Sequence, residues 1–359
     1  MIDFRYHLVS LISVFLALAV GIVLGAGPLK ESIGDTLTGE VDALRERSSE
    51  LRTELDEAAV ALARSQSAFV SVSDDLLAGT LEGRRVAVVQ VGSVAGGVLD
   101  EVAGRLAQAG ATVTAQARLT DQWVDPGRAS FRRSLAGTVV EYLDPPPADD
   151  AGTTTELAEA VVQGLSNARP EDPDLITEDA GVLLQLLTEA ELLELSGDVV
   201  TPADGVVVVA GRIDEVLEGD DETQATTDPA ELERMDAWID AAREVASAGL
   251  LRTAGAVVAG YDVVDGGLLT QLREGVATTN RISTVAEAQH IVGQVSVPLA
   301  LAERMAGGVG HYGADGDATA PVPPRTVLDP IERVPTTPED EADAPETPPA
   351  TEGTEETAG

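Results

Sequence analysis

Cysteine is absent from the chain, so no disulfide braces it and no thiolate is on offer to a soft metal. Aromatic residues make up only 3%, which leaves a core to be built from Ala, Val and Leu. Basic residues are outnumbered, 23 Lys and Arg against 62 Asp and Glu, for a net charge of -39. That balance argues against nucleic acid as a partner and against adhesion to anionic lipid head groups. Motifs are missing too. There is no G-x-S-x-G elbow, no H-E-x-x-H pair and no G-K-[ST] phosphate loop, and Gly92, Gly96 and Gly97 after the first predicted strand do not give the G-x-G-x-x-G spacing, so the chain is not read as an enzyme.

What is present is one long hydrophobic run. Leu8 to Gly27 holds 20 consecutive uncharged residues, and at roughly 1.5 Å per residue such a helix covers roughly 30 Å, the thickness of a bilayer's hydrocarbon layer. Lipid offers no partner for backbone N–H and C=O groups, so a lone apolar stretch satisfies them by being helical. Pro28 stops it. A cleaved signal would want a more basic start than Arg5 alone and a small residue where cleavage after Ala26 leaves Leu24; cleavage after Gly25, with Val23 in that place, stays open. The favoured reading is a retained anchor with residues 1–7 as a short lead, a lipid membrane as partner and the body outside the cytoplasm. Ser13, Ala17, Gly21 and Gly25 recur every four residues, a stripe of small side chains suited to helix association.

From Leu37 the apolar period alternates between three and four: Leu37, Val41, Leu44, Ser48, Leu51, Leu55, Ala58, Leu62, Ser65, Phe69, Val72, Leu76. This predicts a coiled-coil stalk over 35–80 and a homo-oligomer; the plainer alternative is an amphipathic helix packed on its own domain. Gly34 and Gly39 predict a bend between anchor and coil. After them, Gly83–Ser93, Ala111–Ala117, Gly205–Ala210 and Gly255–Gly260 read as buried strands, with helices over Val98–Ala109, Glu156–Asn167, Ala180–Leu195, Pro229–Ala248 and Gly266–Glu274. Strands apolar throughout and alternating with helices imply a mostly parallel, doubly wound α/β sheet of Rossmann or flavodoxin type over 83–313, divisible into 83–200 and 204–313. Asp144–Pro173 reads as an insertion or hinge. From Ala314 to 359, nine Pro and twelve acidic residues stand against two Arg, a composition that predicts a disordered tail.

The opening DFRYHLVSLISVFLALAVGIVLGAG and the later VSVPLALAERMAGGVGHYG, Val295 to Gly313, resemble the two ends of the mycobacterial copper transport protein B (MctB) family of actinobacteria. The order of anchor, coil and α/β body is similar along nearly the whole chain to about Gly313. The resemblance implies an envelope protein linked to copper efflux and low intracellular copper, with copper as its transported or sensed ion and an outer-membrane, channel-forming oligomer as its mode. Physical reasoning pulls the other way on the membrane: barrel strands alternate apolar and polar over about ten residues, whereas these are short and continuously apolar, which favours an inner-membrane anchor. The competing function is a non-transporting oligomeric scaffold with a ligand- or partner-binding α/β domain.

Two sets of residues are candidate sites. Gln90, Ser93, Arg212, Asp214, Tyr261 and Asp262 fall at predicted carboxyl ends of strands, where open α/β sheets hold ligands, although short polar residues there also cap helices. His290, Met305 and His311 carry imidazole and thioether donors suited to copper but lack ligand spacing. His7, beside Tyr6, reads as a membrane-edge residue.

Overall fold

The computed structural model describes residues 4–26, 28–213, 228–275 and 281–335, the side chains of residue 4 and of 24–39 excepted. The chain divides into two units, Met1–Ala68 and Phe69–Gly359.

The first unit is helical. Helix α1, Phe4–Ala26, contains the uncharged run from Leu8 to Ala26, and over Arg5–Val23 it is long and apolar enough to cross a membrane, with none of that window buried in the protein. Helix α2, Pro28–Leu77, is continuous. Gly34 and Gly39, expected to lie between two helices, fall inside α2: two glycines cost a helix about 1 kcal/mol each, too little to break one that is formed on both sides. Proline at the first position of α2 suits a helix start, because its missing N–H would have had no intrahelical partner.

The second unit is an α/β body. Its single sheet has the order β3-β2-β1-β4-β5-β6-β7, with β1 Arg85–Val91, β2 Thr112–Leu119, β3 Leu193–Leu195, β4 Gly205–Ala210, β5 Gly255–Ala259, β6 Ser283–Val285 and β7 His311–Tyr312. Every pairing is parallel except that of β3 with β2. Alternation along each strand feeds two cores. Ala87, Val89, Val91, Val206 and Val208 face the layer of α4 Ala129–Val139, α5 Thr153–Ser166, α6 Glu178–Glu189 and α7 Pro229–Arg252. Val86, Val88, Val207, Val209 and Val257 face α3 Val98–Gln108 and α9 Ile291–Met305. Between α7 and α9 in the chain, α8 Leu268–Glu274 buries Leu268, Leu269 and Leu272. Because both faces of the sheet are covered, its strands can be apolar throughout.

Three segments differ from the sequence reading. The helix expected over Ala180–Leu195 ends at Glu189, and Leu193–Leu195 is instead β3, paired with the edge of β2. The stretch expected as an insertion or hinge carries α5, whose residues Leu157 to Leu165 are all buried, so it belongs to the core. Of the expected tail, residues 336–359 lie outside the described residues, while 314–335 pack as an irregular strap. Tyr312 bridges Ala320, Val322 and Leu328 rest on the α3/α9 core, and Arg325 donates to the carbonyls of Leu76 and Ala78 at the end of α2. Arg84 then donates to the Asp329 carbonyl at 2.6 Å, and Arg333 pairs with Asp204.

Candidate functional site

Both neighbours of β1 are parallel to it and the chain leaves in opposite directions from it, so the carboxyl ends of β1 and β4 form the switch point at which such sheets bind ligands. The loops there are stitched together. Gly211 N–H donates to the Val91 carbonyl at 2.9 Å and Arg212 N–H to the Ser93 carbonyl at 3.0 Å. A Cβ on Gly211 would overlap that same Ser93 carbonyl, and Gly92 holds a φ of 70° open only to glycine at low cost. Gln90 turns back onto its own loop, donating to the Gly92 carbonyl at 3.0 Å.

An aromatic side chain packs between these loops. The Tyr261 side chain is buried, and its hydroxyl accepts the Ala95 N–H at 2.8 Å. The Arg212 guanidinium lies over its ring at 5.8 Å, a cation–π contact. Ser93, Arg212 and Tyr261 are therefore brought together; Asp262 instead accepts from Gln289 at 3.2 Å, and Asp214 lies outside the described residues. The adjoining first turn of α3 carries Asp100 and Glu101, whose charge suits the helix dipole but would repel a phosphate. Glu101 is engaged by Gln294 of α9 at 2.5 Å. Chemically, the arrangement locks loops together. Ala95, Gln289 and Gln294, which complete it, carry no local signal that sequence reasoning could have used.

The three donor candidates for copper are spread out. His290 is the exposed N-cap of α9 and Met305 its last residue, about 22 Å apart along the axis. His311 is buried in β7, its Nδ1 3.0 Å from Thr284 Oγ1. Around it is a polar lock. Buried Arg273 donates to Thr284 Oγ1 at 3.0 Å, to the Tyr312 carbonyl at 3.2 Å and to Asp315 Oδ1 at 2.5 Å. The Tyr312 hydroxyl donates to Glu303; burial, then that hydrogen bond and the carboxylate's charge, push the phenol well above its ordinary value. Gly310 lies against the Tyr312 ring and Gly313 against Asp315 and Ala286, which explains why glycines flank His311 and Tyr312. Among the described residues no group of three His, Cys, Asp or Glu is placed to hold a metal ion.

On α1, Ser13 donates to the Val9 carbonyl at 2.8 Å, so its hydroxyl is turned to its own helix, and Gly21 faces open space. On α2, Leu44, Leu51, Leu55 and Leu62 are all more than half exposed.

A helix long and apolar enough to cross a membrane stands ahead of an α/β body, an order compatible with a single-pass anchored protein. Residues 1–323 match the family described as "Copper transport outer membrane protein, MctB", and the chain belongs to that family. It is 27% identical over 321 residues to the copper transporter MctB of Mycobacterium bovis and of two strains of Mycobacterium tuberculosis, covering 87% of this chain and 96% of each relative.

Proposed function

We propose that this chain is a single-pass envelope protein whose anchored form contributes to copper efflux and so keeps intracellular copper low. The observation that carries the reading is the span of the family match, which takes in α1, α2 and the body together rather than the sheet alone. Helix α1 is the anchor, the body is extracytoplasmic, and copper is cargo rather than a resident cofactor. The described strands are covered on both faces by helices, which supports an inner-membrane anchor and a conduction path, where one forms, lined by several copies of α1.

A second reading, a scaffold that transports nothing, is favoured by the scattered copper donors. Deleting the gene in the native host and measuring cell-associated copper under copper load separates the two. Accumulation, reversed by the full chain but not by a chain starting at residue 69, supports transport. Unchanged copper and unchanged tolerance would remove it in favour of the scaffold. Fractionation of the same cells tests the anchor: the full-length protein is expected in the inner membrane after carbonate washing.

A further inference from the structure

Helix α2 leads into the sheet through a turn with a pivot in it. Gly79 holds a φ of 72°, in the left-handed region that favours glycine, and a Cβ there would meet nothing within 4 Å. Leu77 and Leu81, on either side, are fully buried, and Thr80 closes the turn by donating to the Leu77 carbonyl from its N–H at 3.0 Å and its hydroxyl at 2.8 Å. The strap reaches both sides of this glycine. Before it, Arg325 donates from Nε to the Leu76 carbonyl at 3.2 Å and from Nη2 to the Ala78 carbonyl at 2.7 Å. The last carbonyls of a helix have no partner within it and a cation there suits the dipole, so one guanidinium caps the end of α2. After it, the Asp329 carbonyl accepts from Arg84 at 2.6 Å and Arg333 donates to the Gly83 carbonyl at 3.1 Å. Arg333 also pairs with Asp204, which accepts the Arg85 N–H at 2.8 Å where β1 begins.

We infer that residues 325–333 are a latch across this pivot. Closed, they fix the foot of α2, residues 69–78, to the amino ends of β1 and β4. Open, they leave the foot held mainly by the packing of Phe69 and Leu77, and it detaches by local unfolding while the sheet stays folded. The make-up of the grip suits a part that opens. Within it Leu328 rests on the α3/α9 core, and the remaining contacts are hydrogen bonds and one ion pair whose side chains are 20% and 17% exposed, within reach of water that can take their place. The strap residues that cover the core ahead of it, Ala320 and Val322, stay in place when it opens. Nothing in this grip depends on α1 being an anchor.

Hydrogen–deuterium exchange of the full chain in detergent micelles tests it, with amides of residues 73–80 compared against those of β4 and β5. Two variants open the latch. A chain ending at Pro324 keeps the whole span of the family match together with Asp315 and Val322, and Arg325→Ala removes only the grip on Leu76 and Ala78. In both, exchange at 73–80 is expected to quicken by about fivefold or more, with β4 and β5 unchanged within experimental error. Val327→Ser, at a strap residue 58% exposed, is expected to leave both regions as they are. A smaller rise at 73–80 overturns the latch. So does a rise matched in β4 and β5, because residues 325–333 would then add to the stability of the whole body without acting on the pivot. Should the shortened chain prove unfolded, Arg325→Ala alone decides.

Discussion

Arg252 and Glu159 meet at 2.5 Å with their side chains 3% and 8% exposed, joining α7 to α5 beneath the loop that precedes α5. The same guanidinium donates to Gln163 Oε1 at 2.7 Å and to the carbonyls of Asp144 and Pro145, both at 2.9 Å. Removing one partner leaves a buried charge uncompensated, which costs about 3–5 kcal/mol. Glu159→Ala is therefore expected to lower the stability of the body by that amount in urea unfolding. Glu159→Leu with Arg252→Met should cost less than the sum of the two singles, because the stranded charge is gone.

The Asp315 carboxyl is held below the usual carboxylate range. Burial works to raise it, but the hydrogen bond and charge of Arg273, with help from the backbone N–H groups of Asp315 and Asp317, outweigh that. A group depressed in the folded state contributes stability that is fully present above its unfolded value, about 3.9, and is lost as pH falls through the lower folded value. Unfolding followed at pH 7 and at successive steps below pH 4 should show that loss. Asp315→Asn is expected to be weaker at pH 7 by about 1.5–3 kcal/mol and to lose part of the acid dependence.

A methyl group at position 211 meets backbone, not a side chain that can swing aside: the Ser93 carbonyl and the Val94 nitrogen occupy the space. Gly211→Ala should force the two switch-point loops apart at a cost of about 1–3 kcal/mol. The check is a lower urea midpoint with an unchanged slope, together with weaker amide-exchange protection at Ala95.

Truncation separates the contribution of the strap from that of residues 336–359. A chain ending at residue 335 should keep the melting temperature of the full chain. One ending at 313 loses Asp315, Arg325 and Arg333 with the cover that Val322 and Leu328 give the core, and should fall by roughly 3–6 kcal/mol from lost apolar burial and charged hydrogen bonds.

Legibility tracks local signal. Strands β1, β4 and β5 can be read because Val-rich runs such as Val206 to Val209 are buried on both faces and need nothing beyond their own composition. Strands β3, β6 and β7 have two or three residues each, and Ser283, Thr284 and His311 are strand only by virtue of their neighbours. The strap is hidden for a similar reason: Val322 and Leu328 recur with no period, and Arg325 and Arg333 find partners far away in the chain. At the switch point the topology can be anticipated, and Ser93, Arg212 and Tyr261 duly converge there. That the Tyr261 side chain is buried there, bonded to the Ala95 N–H, depends on packing no spacing rule describes.

Because Arg325 caps the carbonyls of Leu76 and Ala78, and Ile331 comes within 3.8 Å of where a Cβ would stand on Gly83, the folded body receives and releases its chain at one corner. Such a body is close to circular in topology: a permuted form in which residue 335 is spliced back to the Phe69 side and new termini are opened elsewhere needs only a short bridge. For the same reason, a reporter fused after residue 335 emerges beside the foot of α2, not on the far side of the sheet.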